Sequence, residues 1–291
     1  MTALEQAHSL LEELLQAART GALIPARLPG QIETIQAALV KAQEEHQAEQ
    51  KKSQLPPDMD SFLKDQAYFI GHAVHELRTP MTSIRGYSDM LGSGSMGALN
   101  DMQKQFVDTI RTNAKRMEGL MTDVSDMNKL RAGTLRAYLK MDMFKNIVMM
   151  VEKQMQPVAE QLGRKLTLDI PSGLPILNTD GELLAKAIIK LVDNALRYQQ
   201  DGGEVTVAAS ADGNKLIIKV QDSGIGMTPE ELDQLGTIYF RSEDELVRSY
   251  KGSGLGIPVA YGIIRLLDGT IEVQSEKGKG TTFTVALTGM S

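Results

Sequence analysis

The sequence predicts an α+β protein: N-terminal helices and an antiparallel helical hairpin, followed by an α/β sandwich. Three observations carry that expectation. Apolar residues recur at spacings of three and four through roughly the first 131 residues. After Arg131 the period falls to two, in short stretches bounded by glycine and polar residues. Of the 26 glycines, 14 lie beyond residue 200, where tight loops rather than helices require them.

At 291 residues the chain has room for two domains and a further segment, at roughly 100–200 residues per domain. Its 42% hydrophobic and 23% charged residues fit a globular protein. The absence of cysteine excludes disulfides, zinc knuckles and thiol catalysis. The four histidines, His8, His46, His72 and His75, all precede residue 76, so no histidine metal site can form downstream. A net charge of −6 and a pI near 5.4 argue against nucleic-acid binding. No apolar run approaches the roughly 18–20 residues of a membrane span. The amphipathic, acidic start MTALEQAHSLLEELL is neither a signal nor a transit peptide. These features together predict a cytoplasmic protein.

Leu4, Ala7, Leu11, Leu15 and Ala18 mark a first amphipathic helix, and GALIPARLPG (21–30) breaks it. A second helix over 31–53 places Ile32, Ile35, Leu39, Ala42 and His46 in heptad spacing, as in a coiled coil. Residues 1–57 thus form an input segment with two readings. One is a helical hairpin that receives a separate sensor protein; the other is a signal relay of two parallel helices joined through 19–30. Pro56-Pro57 ends the second helix, and Asp58 can cap the next. From there Ile70, Val74, Leu77, Met81, Ile84, Ser88 and Leu91 form one seam, and Phe106, Ile110, Asn113, Met117, Leu120, Val124 and Met127 form another. Helices of about 30 residues joined by the short loop 92–100 must run antiparallel. Neither seam buries much alone, so the hairpin, 58–133, is expected to pair with a copy of itself as a four-helix bundle. Over 134–291, strands are expected at 134–142, 165–170, 204–210, 215–222, 270–275 and 281–288. Helices are expected near 142–162, 180–199, 229–236 and 257–267. Helices grouped among antiparallel hairpin strands favour a sandwich over a doubly wound parallel sheet.

Four stretches carry chemistry. In FIGHAVHELRTPMTSIRGY (69–87), His75 lies about 100° off the buried stripe and faces solvent or a partner. Glu76 can orient its ring given a suitable rotamer, and Thr79 shares its face one turn on. A neutral imidazole is a usable nucleophile. In DGELLAKAIIKLVDNALRYQQ (180–200), Lys190, Asn194 and Arg197 recur along the polar face. An amide oxygen suits Mg²⁺, and a guanidinium suits phosphate. In KLIIKVQDSGIGM (215–227), a strand ends in Asp222, whose carboxylate can accept from an adenine amino group beside a turn made by Gly224 and Gly226. In YKGSGLGIPVAYGII (250–264), Gly252, Gly254 and Gly256 precede a helix, so backbone N–H groups there can cradle phosphates. No G-K-[ST] follows and no strand leads directly into it, which excludes a P-loop and a dinucleotide-binding fingerprint.

These four stretches, in this order, resemble the boxes of sensor histidine kinases over about residues 60–288. His-Glu-Leu-Arg-Thr-Pro at 75–80 is similar to the phosphoacceptor box, with Val74 and Met81 where serine and leucine are common. The resemblance implies His75 as phosphoacceptor, Glu76 as general base and Thr79 as a water-positioning residue in dephosphorylation; His72 has no role in it. The helix 180–200 resembles the N-box of the GHKL (Bergerat) ATP-binding fold, with Asn194, Arg197 and Tyr198 matching and Lys190 standing where asparagine or an acid is usual. That lysine can reach a phosphate directly or weaken metal binding. Asp222, Gly224 and Gly226 match the first glycine box; Gly252, Gly254, Leu255 and Gly256 match the second. Residues 228–251 resemble the lid over ATP, in which Arg241 after Tyr239-Phe240 is the expected γ-phosphate contact. The resemblance implies ATP and Mg²⁺ as cofactors, Asn194 as the metal-holding side chain, and a homodimer. It further implies phosphotransfer to an aspartate of a response-regulator receiver domain. Two alternatives stand beside it: another GHKL ATPase, or a weakly catalytic or non-catalytic GHKL signalling scaffold.

Overall fold

The computed structural model describes residues 59–200 and 202–290. The expected helices over 1–18 and 31–53 and the Asp58 cap lie outside them. Among the described residues no helix is long and apolar enough to cross a membrane.

Helix α1 (Met59–Gly92) runs through Pro80, and α2 (Asp101–Arg131) returns antiparallel to it. Asn100 starts α2 with a reciprocal cap: its side chain accepts from the Gln103 N–H at 2.9 Å, and Gln103 Oε1 accepts from the Asn100 N–H at 3.0 Å. The expected seams need correction. The residues that close the hairpin are Val74 and Met81 against Ala114 and Met121, with Val107 and Ser88 buried near the loop end. Leu77, Ile84 and Leu91 of the first expected seam stay exposed, as do Phe106, Ile110, Asn113 and Met117 of the second. The physical reason is that each helix carries two apolar rows. The row of Val74 and Met81 meets the row of Ala114 and Met121 within the hairpin, and the second row of each helix faces outward.

The second half is two layers. A five-stranded sheet has the order β2-β4-β5-β7-β6, from β2 (Lys165–Asp169), β4 (Glu204–Asp212), β5 (Lys215–Asp222), β6 (Thr270–Glu276) and β7 (Gly280–Thr288). Four strands pair antiparallel as expected; β2 joins β4 in parallel, with α4 (Gly181–Arg197) in the connection between them. One face of the sheet is apolar by strict alternation, through Val205, Val207, Leu216, Ile218, Val220, Phe283 and Val285. Against it lie α3 (Phe144–Gln161), α4 and α7 (Gly256–Leu266), which contribute Ile147, Val151, Ile188, Leu191 and Ile263 to one core.

The strand expected over 134–142 shrinks to β1 (Lys140–Asp142), paired with the three-residue β3 (Leu177–Thr179). Upstream, the backbone is already committed elsewhere. The Thr134 N–H donates to the Lys129 carbonyl at the helix end, and the Tyr138 N–H donates to Asp180 Oδ2 at 3.0 Å. Two further short helices, α5 (Pro229–Gln234) and α6 (Glu245–Ser249), lie in the loop before α7.

Candidate functional site

His75 stands on the outer face of α1 with its side chain 74% exposed, and Glu76 Oε1 lies 3.5 Å from its Nδ1. The Glu76 carboxylate thus lies on the Nδ1 side of the ring, and Nε2 is on the other. Thr79 and His72 are exposed on the same helix.

The nucleotide-type site is built around α4. Asp180 begins that helix by accepting from the Glu182 and Leu183 N–H groups, a sound N-cap. At the other end the Tyr198 carbonyl accepts from the Ile225 N–H at 3.1 Å, which fixes the first glycine loop to the helix end. Gly224 fits only because it lacks a Cβ, which would overlap that same carbonyl. Gly226 has φ +59, and a side chain there would run into the Glu276 carbonyl. Asp222 is buried below this loop. Its Oδ1 accepts from Gly224 N at 2.8 Å and Thr281 N at 3.2 Å, leaving Oδ2 for another donor. Burial pushes its carboxyl up to about 6, against the pull of those two N–H groups.

The second glycine loop closes the far side. Gly254, at φ +71, packs against the backbone of Tyr239 and Phe240, and the Tyr239 N–H donates to its carbonyl at 3.2 Å. The Tyr198 hydroxyl and the Arg241 guanidinium both lie beside Gly252. Arg241 organises this loop: it donates to the Gly252, Tyr250 and Val247 carbonyls, at 3.2 and 2.6 Å to the first two. Its guanidinium thus folds the segment that leads from Arg241 to Gly252. Lys190 lies alongside Gly256 and, through Nζ, donates to Asp123 of α2. Asn194 is half-buried one turn beyond Lys190 and one turn before Tyr198, so it shares their face. Arg197 pairs with Asp193 at 2.8 Å, a bond that raises its pKa despite burial.

Tyr198 thus neighbours Gly224 and Gly252, Arg241 neighbours Gly252, and Lys190 neighbours Gly256, with Asn194 between Lys190 and Tyr198 on one helix face; His75 is on the hairpin. The residue type at 194 fits Mg²⁺: one neutral amide oxygen suits a cation that keeps most of its waters and binds phosphates. Arg164 has no place in any motif. Buried, it donates to the Leu196 and Gln199 carbonyls at the end of α4 and reaches the Tyr250 hydroxyl at 3.3 Å. Tyr250 in turn meets Tyr198 edge to face, with centroids 6.2 Å apart. Arg164 therefore ties the asparagine helix to the covering loop. A lone Arg before a strand, in GRKLTLD, is the only sequence sign of it.

Comparison with known proteins identifies both halves of the chain. Residues 65–133 match the His Kinase A (phospho-acceptor) domain, and residues 179–289 match the histidine kinase-, DNA gyrase B- and HSP90-like ATPase family. The histidine protein kinase DivJ of Caulobacter vibrioides is 30% identical over 79% of this chain and 38% of its own length. The aerobic respiration control sensor protein ArcB of Escherichia coli is 31% identical over 77% of this chain and 29% of its own. The chain thus spans well under half the length of these relatives. Among solved structures, full-length ShkA in complex with AMPPNP has a TM-score of 0.61 at 24% identity, over 77% of this chain and 47% of that one. Acinetobacter baumannii histidine kinase AdeS has a TM-score of 0.52 at 23% identity, over 75% of this chain and 98% of that one. These two likenesses bear on the fold. With a phosphoacceptor hairpin joined to an ATPase domain of this type, the chain belongs to the sensor histidine kinases of two-component systems.

Proposed function

We propose that the chain is an ATP-dependent protein-histidine kinase that phosphorylates its own His75 and passes the phosphoryl group to an aspartate of a response-regulator receiver domain. The observation that carries this reading is the exposed His75–Glu76 pair on the same chain as a GHKL-type nucleotide cleft. The bond between the γ-phosphorus and its bridging oxygen breaks as a bond from Nε2 forms, and ADP departs. Glu76 takes up positive charge developing on the ring by accepting the Nδ1 proton. Asp222 Oδ2 receives the adenine amino group, and the loop of Gly252, Gly254, Leu255 and Gly256 cradles the phosphates, the Leu255 N–H exchanging its bond to the Ser253 hydroxyl for one to phosphate. Arg241 stands at the γ-phosphate end, with Arg197 and Tyr198 lining the wall. Asn194 would hold Mg²⁺, which when bound would supply charge neutralisation. The remaining contribution is positioning, because phosphoryl transfer asks little covalent chemistry of the protein.

Thr79, one turn after His75 and exposed, supports a second activity, the positioning of water to dephosphorylate the regulator. The outward row of Leu77, Ile84, Leu91, Phe106, Ile110 and Met117 supports a homodimer with a four-helix bundle. We place the protein in the cytoplasm, with residues 1–57 receiving the signal. The test is incubation with γ-labelled ATP. The expected product is an acid-labile, base-stable label on the wild type, reduced at least about 1,000-fold in His75→Ala, which loses its nucleophile. A label of equal strength on His75→Ala overturns the assignment.

A further inference from the structure

Two lysines of α4 reach out of the ATP domain to two aspartates of the hairpin. Lys190 Nζ donates to Asp123 Oδ1, and Lys186 pairs with Asp126. Asp123 and Asp126 lie on α2 and are only 8% and 7% exposed. A carboxylate this buried is costly unless it is paired, so each relies on its lysine. The contact continues in apolar form where Leu130 of α2 covers Gly262 of α7 so closely that a Cβ at 262 would overlap it.

Lys190 has a second neighbour. Its Cδ lies 3.8 Å from the position of a Cβ on Gly256, so its stem runs along the phosphate-binding loop while its ammonium turns to the hairpin. A flexible lysine stem lets the ammonium swing between the two. The hairpin register gives the pairing its meaning. Asn128 donates to the Ala67 carbonyl at 2.8 Å, and Arg85 meets Glu118 at 2.7 Å, so His75 lies at the same height along the hairpin as the stretch around Asp123.

We propose that Lys190 is an exchangeable clasp, for which Asp123 of the hairpin and the phosphates of ATP compete. Held by Asp123, it fastens the ATP domain to the hairpin at the height of the acceptor histidine. Drawn to phosphate, it unfastens one of the two ionic rungs and frees that domain to turn its nucleotide toward Nε2 of His75. The same exchange makes a nucleotide sense the hairpin: any signal that strengthens the Asp123 pair weakens ATP binding, and the reverse, since such coupling is reciprocal. This inference rests on the nucleotide-binding reading above.

Two measurements on the full chain test it: calorimetric binding of a non-hydrolysable ATP analogue, and tryptic cleavage at Arg136, exposed in the connector between α2 and β1. On the wild type the analogue is expected to speed cleavage. Asp123→Asn is expected to be cleaved at the faster rate without any nucleotide and to bind the analogue about fivefold tighter, about 1 kcal/mol. Lys190→Met should match that cleavage rate but bind about fivefold more weakly. The exchange Asp123→Lys with Lys190→Asp restores slow cleavage while keeping weak binding, which guards against a folding defect. Wild-type rates in Asp123→Asn overturn the clasp. Faster cleavage with unchanged affinity overturns the competition. Failure of the wild type to bind the analogue defeats the nucleotide reading, while the nucleotide-free cleavage of Asp123→Asn still reports the clasp.

Discussion

The hairpin and the ATP domain solve the same problem, burial of enough apolar surface, in opposite ways. The ATP domain buries a continuous core between one sheet face and three helices, with Phe144, Leu191, Ile218 and Phe283 almost wholly enclosed. Among the described residues of the hairpin only Val74, Met81, Ala114 and Met121 form a buried apolar cluster, while Leu77, Phe106 and Met117 stay bare. Two layers around one core can stand alone; a two-helix hairpin cannot. The hairpin therefore leaves its second apolar row uncovered, and the ATP domain encloses its core.

The largest effect expected from that contrast is at the outward row. Ile84→Glu places a charge from each protomer into the proposed dimer face, where an unpaired buried carboxylate is strongly disfavoured. The dimer should weaken by at least about 100-fold, as about 3 kcal/mol implies. Sedimentation velocity should show monomers at micromolar concentration, while the melting transition of the ATP domain stays in place. A dimer that survives intact would mean that the exposed row is not the interface.

A smaller effect is expected inside the ATP domain, at Asp222. Its carboxyl holds its proton up to about 6 in the folded state, against 3.8 for the free side chain. The folded protein thus binds the proton more tightly than the unfolded chain. Stability contributed by this group is full below pH 3.8, falls as pH rises through about 6, and is flat above. The whole span amounts to about 3 kcal/mol. Asp222→Asn keeps an acceptor for Gly224 and Thr281 and carries no charge to desolvate, so its stability should not fall across that window. Urea denaturation from pH 4 to 7.5 checks this. The same change puts an N–H₂ where the proposed adenine contact needs an acceptor, so nucleotide affinity should drop about 100-fold as a buried polar group goes unpaired. A variant gaining stability while keeping wild-type affinity would remove Asp222 from adenine recognition.

The contrast between the two halves also governs how much the sequence discloses. In the ATP domain, strand alternation in KLIIKVQD and the glycines at 224, 226, 252, 254 and 256 are local signals, and the expected elements lie within a residue or two of their places apart from β1, which is six residues shorter, while β3 and α6 carry no such signal. In the hairpin the helices are equally plain, but the face that packs inward is not. Phe106 and Val107 are adjacent apolar residues, and nothing local says that the smaller one turns inward. Long-range polar partners are the least legible. Lys190 looks like a departure from a nucleotide motif until Asp123, far away in the chain, is seen beside it. Arg164 gains its role only from carbonyls at the end of a helix that follows it in sequence.

The smallest expected effect sharpens the comparison at the hairpin tip. Asn100 and Gln103 satisfy each other's backbone N–H groups at the start of α2, at 2.9 and 3.0 Å. Asn100→Ala removes one acceptor and leaves the Gln103 N–H to water, a loss of about 1 kcal/mol. In a domain with a large core that loss would lower the melting temperature slightly and stay local. In the hairpin it falls on an element with few buried contacts, so hydrogen exchange should accelerate along the first turns of α2 and at the facing end of α1. Exchange in β4, β5 and β7 should not change. Uniform acceleration through the sheet as well would mean that the two halves fold as one cooperative unit, and that the hairpin leans on the ATP domain as much as on its own copy.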